Sequence, residues 1–144
     1  MQTGAWSMIA AASAVGLLAG GSAAAAAPFD GSAPMLCAFT ELSSCAPGHD
    51  CRQETPDSLN VPRFVRVDVK GKTLGGTRPD GQARTTPIEF EAHEAGRTFL
   101  GGVDGPLSWH IDVVEASGDM LIAATGMRGD GPFTVGGFGA CTVP

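Results

Sequence analysis

The sequence predicts an all-β fold: a small antiparallel barrel of about seven to eight strands in meander order, with a two-sheet sandwich as the alternative. Three observations carry this. Turn signals recur through the second half of the chain, apolar and polar residues alternate between them, and no window of about 12 residues after the amino-terminal stretch keeps a helical period. The turns are Pro79-Asp80-Gly81, Glu94-Ala95-Gly96, Asp104-Gly105-Pro106, Ser117-Gly118-Asp119 and Gly129-Asp130-Gly131, at intervals of about 10 to 15 residues.

The first strand is expected at Met35 to Glu41. In residues 64–70, Val65, Val67 and Val69 share one face while Arg66, Asp68 and Lys70 take the other. In residues 88–93, Ile88, Phe90 and Ala92 oppose Glu89, Glu91 and His93. In residues 108–114, Trp109, Ile111 and Val113 oppose Ser108, His110 and Asp112. Such alternation means one buried and one wet face. Segments 98–103, 119–125 and 132–138 complete the set, and residues 57–60 form at most one helical turn. Pairing the first strand with the last would remove exposed edges, and Gly136, Gly137 and Gly139 would allow the bend that closure needs.

Residues 1–27 read as a cleaved signal peptide. No charged side chain lies between Met1 and Phe29, residues 8–18 are apolar, and Ala23 to Ala27 supply small residues at the cleavage site. The run is mostly Ala, Gly and Ser, too weakly apolar for a retained anchor, which needs about 20 strongly apolar residues. The remainder, 28–144, is one domain: a cysteine-rich arm with the first strand over 28–60, then the meander over 61–144. A periplasmic or secreted location follows.

All four cysteines, Cys37, Cys45, Cys51 and Cys141, lie in that domain. Their spacing lacks the close pairs of a zinc site and suits disulfides. Of the three possible pairings, Cys45–Cys51 around Pro47 and Gly48 with Cys37–Cys141 joining first strand to last is favoured. The long link is worth up to about 4.7 kcal/mol, the short one less. The net charge of −6 is spread out, and the basic residues form no cluster, so nucleic acid and anionic membranes are not expected partners. A monomer is expected.

No catalytic, cofactor-binding or metal-binding residue is assigned. Ser108, His110 and Asp112 share a face, but same-face neighbours on a strand stand roughly 7 Å apart, from a rise of about 3.3–3.4 Å per residue, whereas a nucleophile and its base must touch. His49-Asp50, and His93 with Glu89 and Glu91, would need folding to join them before they held a metal. Arg128-Gly129-Asp130 matches an adhesion tripeptide, yet the turn alone accounts for Gly-Asp-Gly. There is no G-x-S-x-G elbow, no C-x-x-C-H, and no strand–G-x-G-x-x-G–helix context. With no Tyr and few Trp, an exposed aromatic platform is not expected. Trp109 belongs in the core. Phe133 and Phe138 fall on opposite faces of the last strand, so one of them is exposed or lines a cavity.

Met35-Leu36-Cys37-Ala38, Cys45, Cys51, Asn60-Val61-Pro62-Arg63-Phe64 with Val67-Asp68, Trp109 and Phe138-Gly139-Ala140-Cys141 resemble a group of small exported proteobacterial proteins. The resemblance implies an exported, compact domain and carries no catalytic residue. The function expected is non-enzymatic binding of a small ligand or a protein partner. The alternatives are a structural envelope component or an extracellular protease inhibitor, the latter by likeness of architecture alone, and, less favoured, a hydrolase.

Overall fold

The structure, a computed structural model, describes residues 28–144, and the leader expected over 1–27 lies outside the described residues. Ten strands form: β1 (Met35–Cys45), β2 (Arg52–Glu54), β3 (Phe64–Asp68), β4 (Thr73–Thr77), β5 (Ala83–Pro87), β6 (Phe90–Glu94), β7 (Arg97–Asp104), β8 (Leu107–Val114), β9 (Asp119–Arg128) and β10 (Gly131–Thr142). They make one antiparallel sheet, curled into a half-barrel, in the order β5-β4-β3-β1-β10-β9-β8-β7-β6. β1 is its middle. One edge of β1 pairs with β10 along most of its length, and the other pairs with β3 at its start and β2 at its end.

The disulfides are Cys37–Cys141 and Cys45–Cys51. Cys37 faces Cys141 directly across the β1–β10 ladder, and both sulfurs lie against the core formed by Met35, Val65, Val67, Val69, Ile88, Leu100, Trp109, Ile111, Val113 and Met120. Trp109 is in that core, as its face predicts. Its indole N–H has no acceptor among the described residues, which costs about 1–3 kcal/mol. Burying roughly 150–250 Å² of ring, about 4–6 kcal/mol, outweighs it.

Strand β1 runs beyond the expected Glu41 because a bulge interrupts its alternation. The register slips between Phe39 and Glu41, leaving Thr40 as the extra residue. Met35, Cys37 and Phe39 point inward before it, Leu42 and Ser44 after it, so the period of two breaks in the middle of a continuous strand. The facing segment of β10 is glycine-rich for a steric reason. A Cβ at Gly139 would overlap the Ala38 carbonyl and Met120, and one at Gly137 the Glu41 carbonyl.

Three strands escaped the sequence reading. β2 is only three residues long, while β4 (TLGGT) and β5 (ARTTP) hold one large apolar residue between them. They form a hairpin around the predicted Pro79-Asp80-Gly81 turn. First and last strands adjoin as expected, yet the open seam falls elsewhere: the sheet edges are β5 and β6, neighbours in sequence. Isolated contacts stitch that seam. Thr86 Oγ1 donates to the Val103 carbonyl at 3.2 Å, and the Ile88 and Glu89 amides donate to the Lys72 and Gly101 carbonyls at 2.9 Å. The ion pairs Arg84–Asp104 and Lys72–Glu91 complete it.

The corner at Ile88-Glu89 also overturns the expected faces of residues 88–93. Ile88 is buried, but Phe90 is 58% exposed. Glu91 and His93 sit opposite the buried Leu100 and Thr98 of β7, so these two take the inner side of the sheet, His93 at its exposed rim. The alternation was read through a bend, and the bend reverses it. His93 Nδ1 lies 2.9 Å from Glu115 Oε1 and Nε2 lies 3.2 Å from Glu91 Oε1, and Thr98 Oγ1 donates to Glu115 at 2.9 Å. Inward-pointing charge on an edge strand is a known guard against edge-to-edge association.

Removing the long link (C37A/C141A) is expected to cost up to about 4.7 kcal/mol and removing the short one (C45A/C51A) about 2 kcal/mol, read as urea midpoints. The reverse ranking would contradict the assignment of the long link as the main cross-brace. At the β6–β7 turn both central residues have positive φ, 52° at Ala95 and 73° at Gly96, a conformation costly for alanine and easy for Asn or Gly. Ala95→Asn should therefore stabilise by about 0.5–1 kcal/mol, and an unchanged melting temperature would argue against strain there.

Glu115 first, then Glu91, hold the His93 imidazolium, raising its pKa above the usual 6.5. That contribution is complete below about pH 6.5 and fades as pH rises through the folded value. Glu91 is held below its usual 4.5, by Lys72 first and then His93, so its contribution is present above about pH 4.5 and is lost as pH falls through the folded value. Both are whole between those limits. His93→Gln is expected to flatten the loss of stability as pH rises above about 6.5, and an unaltered slope in urea midpoints would disprove the role.

Candidate functional site

β1 ends at Cys45, which sits opposite Thr134 of β10. The chain then turns, with the His49 amide donating to the Ala46 carbonyl at 3.2 Å, and returns through Cys51 into β2 alongside β1. The Cys45–Cys51 link, with a sequence separation of 6, closes this loop. Because Cys45 is level with the start of β10, the loop stands beside the tip of the β9–β10 hairpin. Between them lies a cleft of about 350 Å³. Pro47, His49, Asp50 and Arg52 form one wall, Arg128, Asp130, Pro132 and Phe133 the other, and Ser44 and Cys45 the floor.

The charges at this cleft divide into those already engaged and those that are not. Ser44 Oγ and Ser58 Oγ each donate to the Glu54 carboxylate at 2.6 Å. These hydroxyls, the Ser44 contact first, hold Glu54 below the usual carboxylate range, with smaller help from Arg52 and Arg128. Arg52 stands 3.6 Å from the same carboxylate. Arg128 is different: its guanidinium lies over the Phe133 ring, 3.9 Å from the centroid, a contact worth about 0.5–1 kcal/mol at an exposed site. Among the described residues no carboxylate comes within 4.0 Å of it, and no cation comes that close to Asp50 or Asp130. On the far side of Pro132 and Phe133 a second groove runs past Val103, Leu107 and Met127.

The Ser108, His110, Asp112 set does not act as a unit. Ser108 Oγ pairs with Thr125 Oγ1 at 2.8 Å, and His110 is exposed. Asp112, expected on the wet face, is buried at 6% exposure. Arg97 covers it, donating from Nε to Oδ1 at 2.9 Å and pairing through Nη2 with Oδ2. The reason is the neighbour across the ladder. Phe99 faces Asp112, and the Arg97 guanidinium lies 5.0 Å from the Phe99 centroid, so one long side chain caps both. His49 stays in the disulfide loop while His93 and Glu91 belong to the β6 network, and among the described residues no three His, Cys, Asp or Glu side chains group to hold a metal ion.

The exposed aromatic residues are single phenylalanines on three different strands. Phe64, Phe90 and Phe138 are each more than half exposed. Phe138 lies outside, opposite Leu121, and Phe133 lines the cleft, so the odd separation of this pair placed one on each side. The fold also joins two motifs that the sequence kept apart: His49-Asp50 and Arg128-Gly129-Asp130 stand on facing walls of one cleft. No protein-family model matches the chain, and neither a curated protein nor a solved structure matches it.

Proposed function

We propose that the protein is a non-enzymatic binding domain of an oxidising compartment, the periplasm or the external medium, and that it takes a small ligand in the cleft between the Cys45–Cys51 loop and the β9–β10 hairpin. Two disulfides are the covalent chemistry of such a compartment. The observation that carries the binding reading is the cleft itself. It falls within the size range of ligand pockets, a cross-link closes one wall, and it presents charged groups not engaged by the described residues. The hydroxyl, imidazole and carboxylate that a hydrolase would draw on are engaged elsewhere or apart, which supports binding over turnover.

The test is native mass spectrometry of the protein purified with its disulfides intact, after incubation with a small-molecule extract of its host. A discrete adduct is expected. It should disappear in Ala46→Trp, which adds bulk at a residue that lines the cleft between Cys45 and Pro47, and persist in Phe138→Ser on the outer face. No adduct from any extract, or an adduct indifferent to Ala46→Trp, would defeat the proposal.

A further inference from the structure

The chemistry of the cleft walls narrows the ligand, provided that the cleft is the ligand site proposed above. Arg128 presents its guanidinium with one face covered by Phe133 at 3.9 Å. The contact covers one side of the guanidinium and leaves its N–H donors for an acceptor, and a planar fork matches a carboxylate with two parallel hydrogen bonds. Arg52 offers less, since Glu54 stands 3.6 Å away. The same cleft is lined by Asp50 and Asp130, both exposed and without a cation within 4.0 Å among the described residues. Two carboxylates on the lining of a cleft this small disfavour a dianion such as phosphate, because like charges repel. The guanidiniums equally disfavour a simple cation. The apolar part of the walls is short, Pro47, Pro132 and Phe133, which leaves little room for a long hydrocarbon chain.

We infer that the cleft binds a small zwitterion bearing an ammonium and a carboxylate group, the carboxylate held by Arg128 over Phe133 and the ammonium set against Asp130 and Asp50. Two sources share that chemistry, a free amino acid and a dipeptide. The volume of about 350 Å³ lies at the small end of ligand sites, which suits either. No bond is made or broken, and the ligand is held by charge and shape.

The experiment is isothermal titration calorimetry on the intact, oxidised protein with each standard L-amino acid and with alanyl-alanine as probes. Binding of one or more is expected, and which class binds identifies the source. Capping the amine of the best probe by acetylation, or converting its carboxylate to the amide, should weaken it at least tenfold. Arg128→Gln should weaken the free probe at least tenfold. Asp130→Asn should weaken it several-fold while leaving the acetylated form unaffected, a difference that loss of folding does not produce, and circular dichroism melting checks each variant. Capped forms that bind as well as the free probe, or Arg128→Gln with unchanged affinity, overturn the inference. Silence from every probe overturns it too. If a host-extract adduct sensitive to Ala46→Trp persists in that case, the cleft remains the ligand site and only the zwitterion is wrong; if it is missing as well, both readings fall.

Discussion

The register of β1 against β10 is the constraint on which the other parts depend. Cys37 faces Cys141 across the ladder, so a covalent bond fixes two strands 104 residues apart in sequence. A one-residue slip between strands would turn every inward side chain outward, and here it would also pull the cysteines apart. Both halves of the sheet then grow from that pair: β9 to β6 on one side, β3 to β5 on the other. Long-range pairing of this kind must overcome a large loop-closure entropy. The disulfide removes part of that entropy from the unfolded chain, which suits a small domain whose core is only a few side chains deep.

Placing first and last strands side by side has a consequence for the edges. A closed barrel would have none, but this sheet opens between β5 and β6, where the chain turns a corner at Ile88-Glu89 and the two strands part. The exposed backbone there invites pairing with another chain. The residues at the seam oppose that: Arg84 with Asp104, Lys72 with Glu91, and His93 between Glu91 and Glu115. A charge on the inner side of an edge strand is disfavoured in an ordinary core, and here it finds a partner at the rim. The same network explains why His93 is tied to structure and not free for chemistry.

Much of the fold was legible because alternation and turns report the same thing twice. Val65 and Val67, and Trp109 with Ile111 and Val113, are buried as their spacing requires. The failures occur where a local irregularity reverses parity, at the Thr40 bulge and at the Ile88-Glu89 corner, since a period of two carries no memory of a skipped step. β4 and β5 were silent for another reason: a strand of Thr, Gly and Arg buries too little to show a pattern. Asp112 was misplaced because the cover over it comes from Arg97 on the neighbouring strand, which no single-strand pattern records. The candidate site lay within reach. Antiparallel pairing at Cys37 and Cys141 carries Cys45 to Phe133, and the bulge moves it one residue to Thr134. The favoured disulfide alone therefore implied that the His49 loop and the Arg128 turn adjoin.

The two disulfides then serve different ends. Cys37–Cys141 lies in the core and ties together strands distant in sequence, so its effect is on whether the chain folds. Cys45–Cys51 closes a short loop at the surface, where the entropy saved on folding is small. What it does restrict is the wall of the cleft. A loop free to sample many shapes would lose that freedom on meeting a ligand, and the loss would subtract from affinity. A loop already closed loses little. On the other wall the Arg128 guanidinium lies over Phe133, 3.9 Å from the ring centroid. The short link thus restricts one wall of the cleft while adding about 2 kcal/mol to stability, less than the long one, and it returns the chain into β2 beside β1. One cross-link therefore acts on two scales, on the stability of the folded chain and on the freedom of a surface loop beside the cleft.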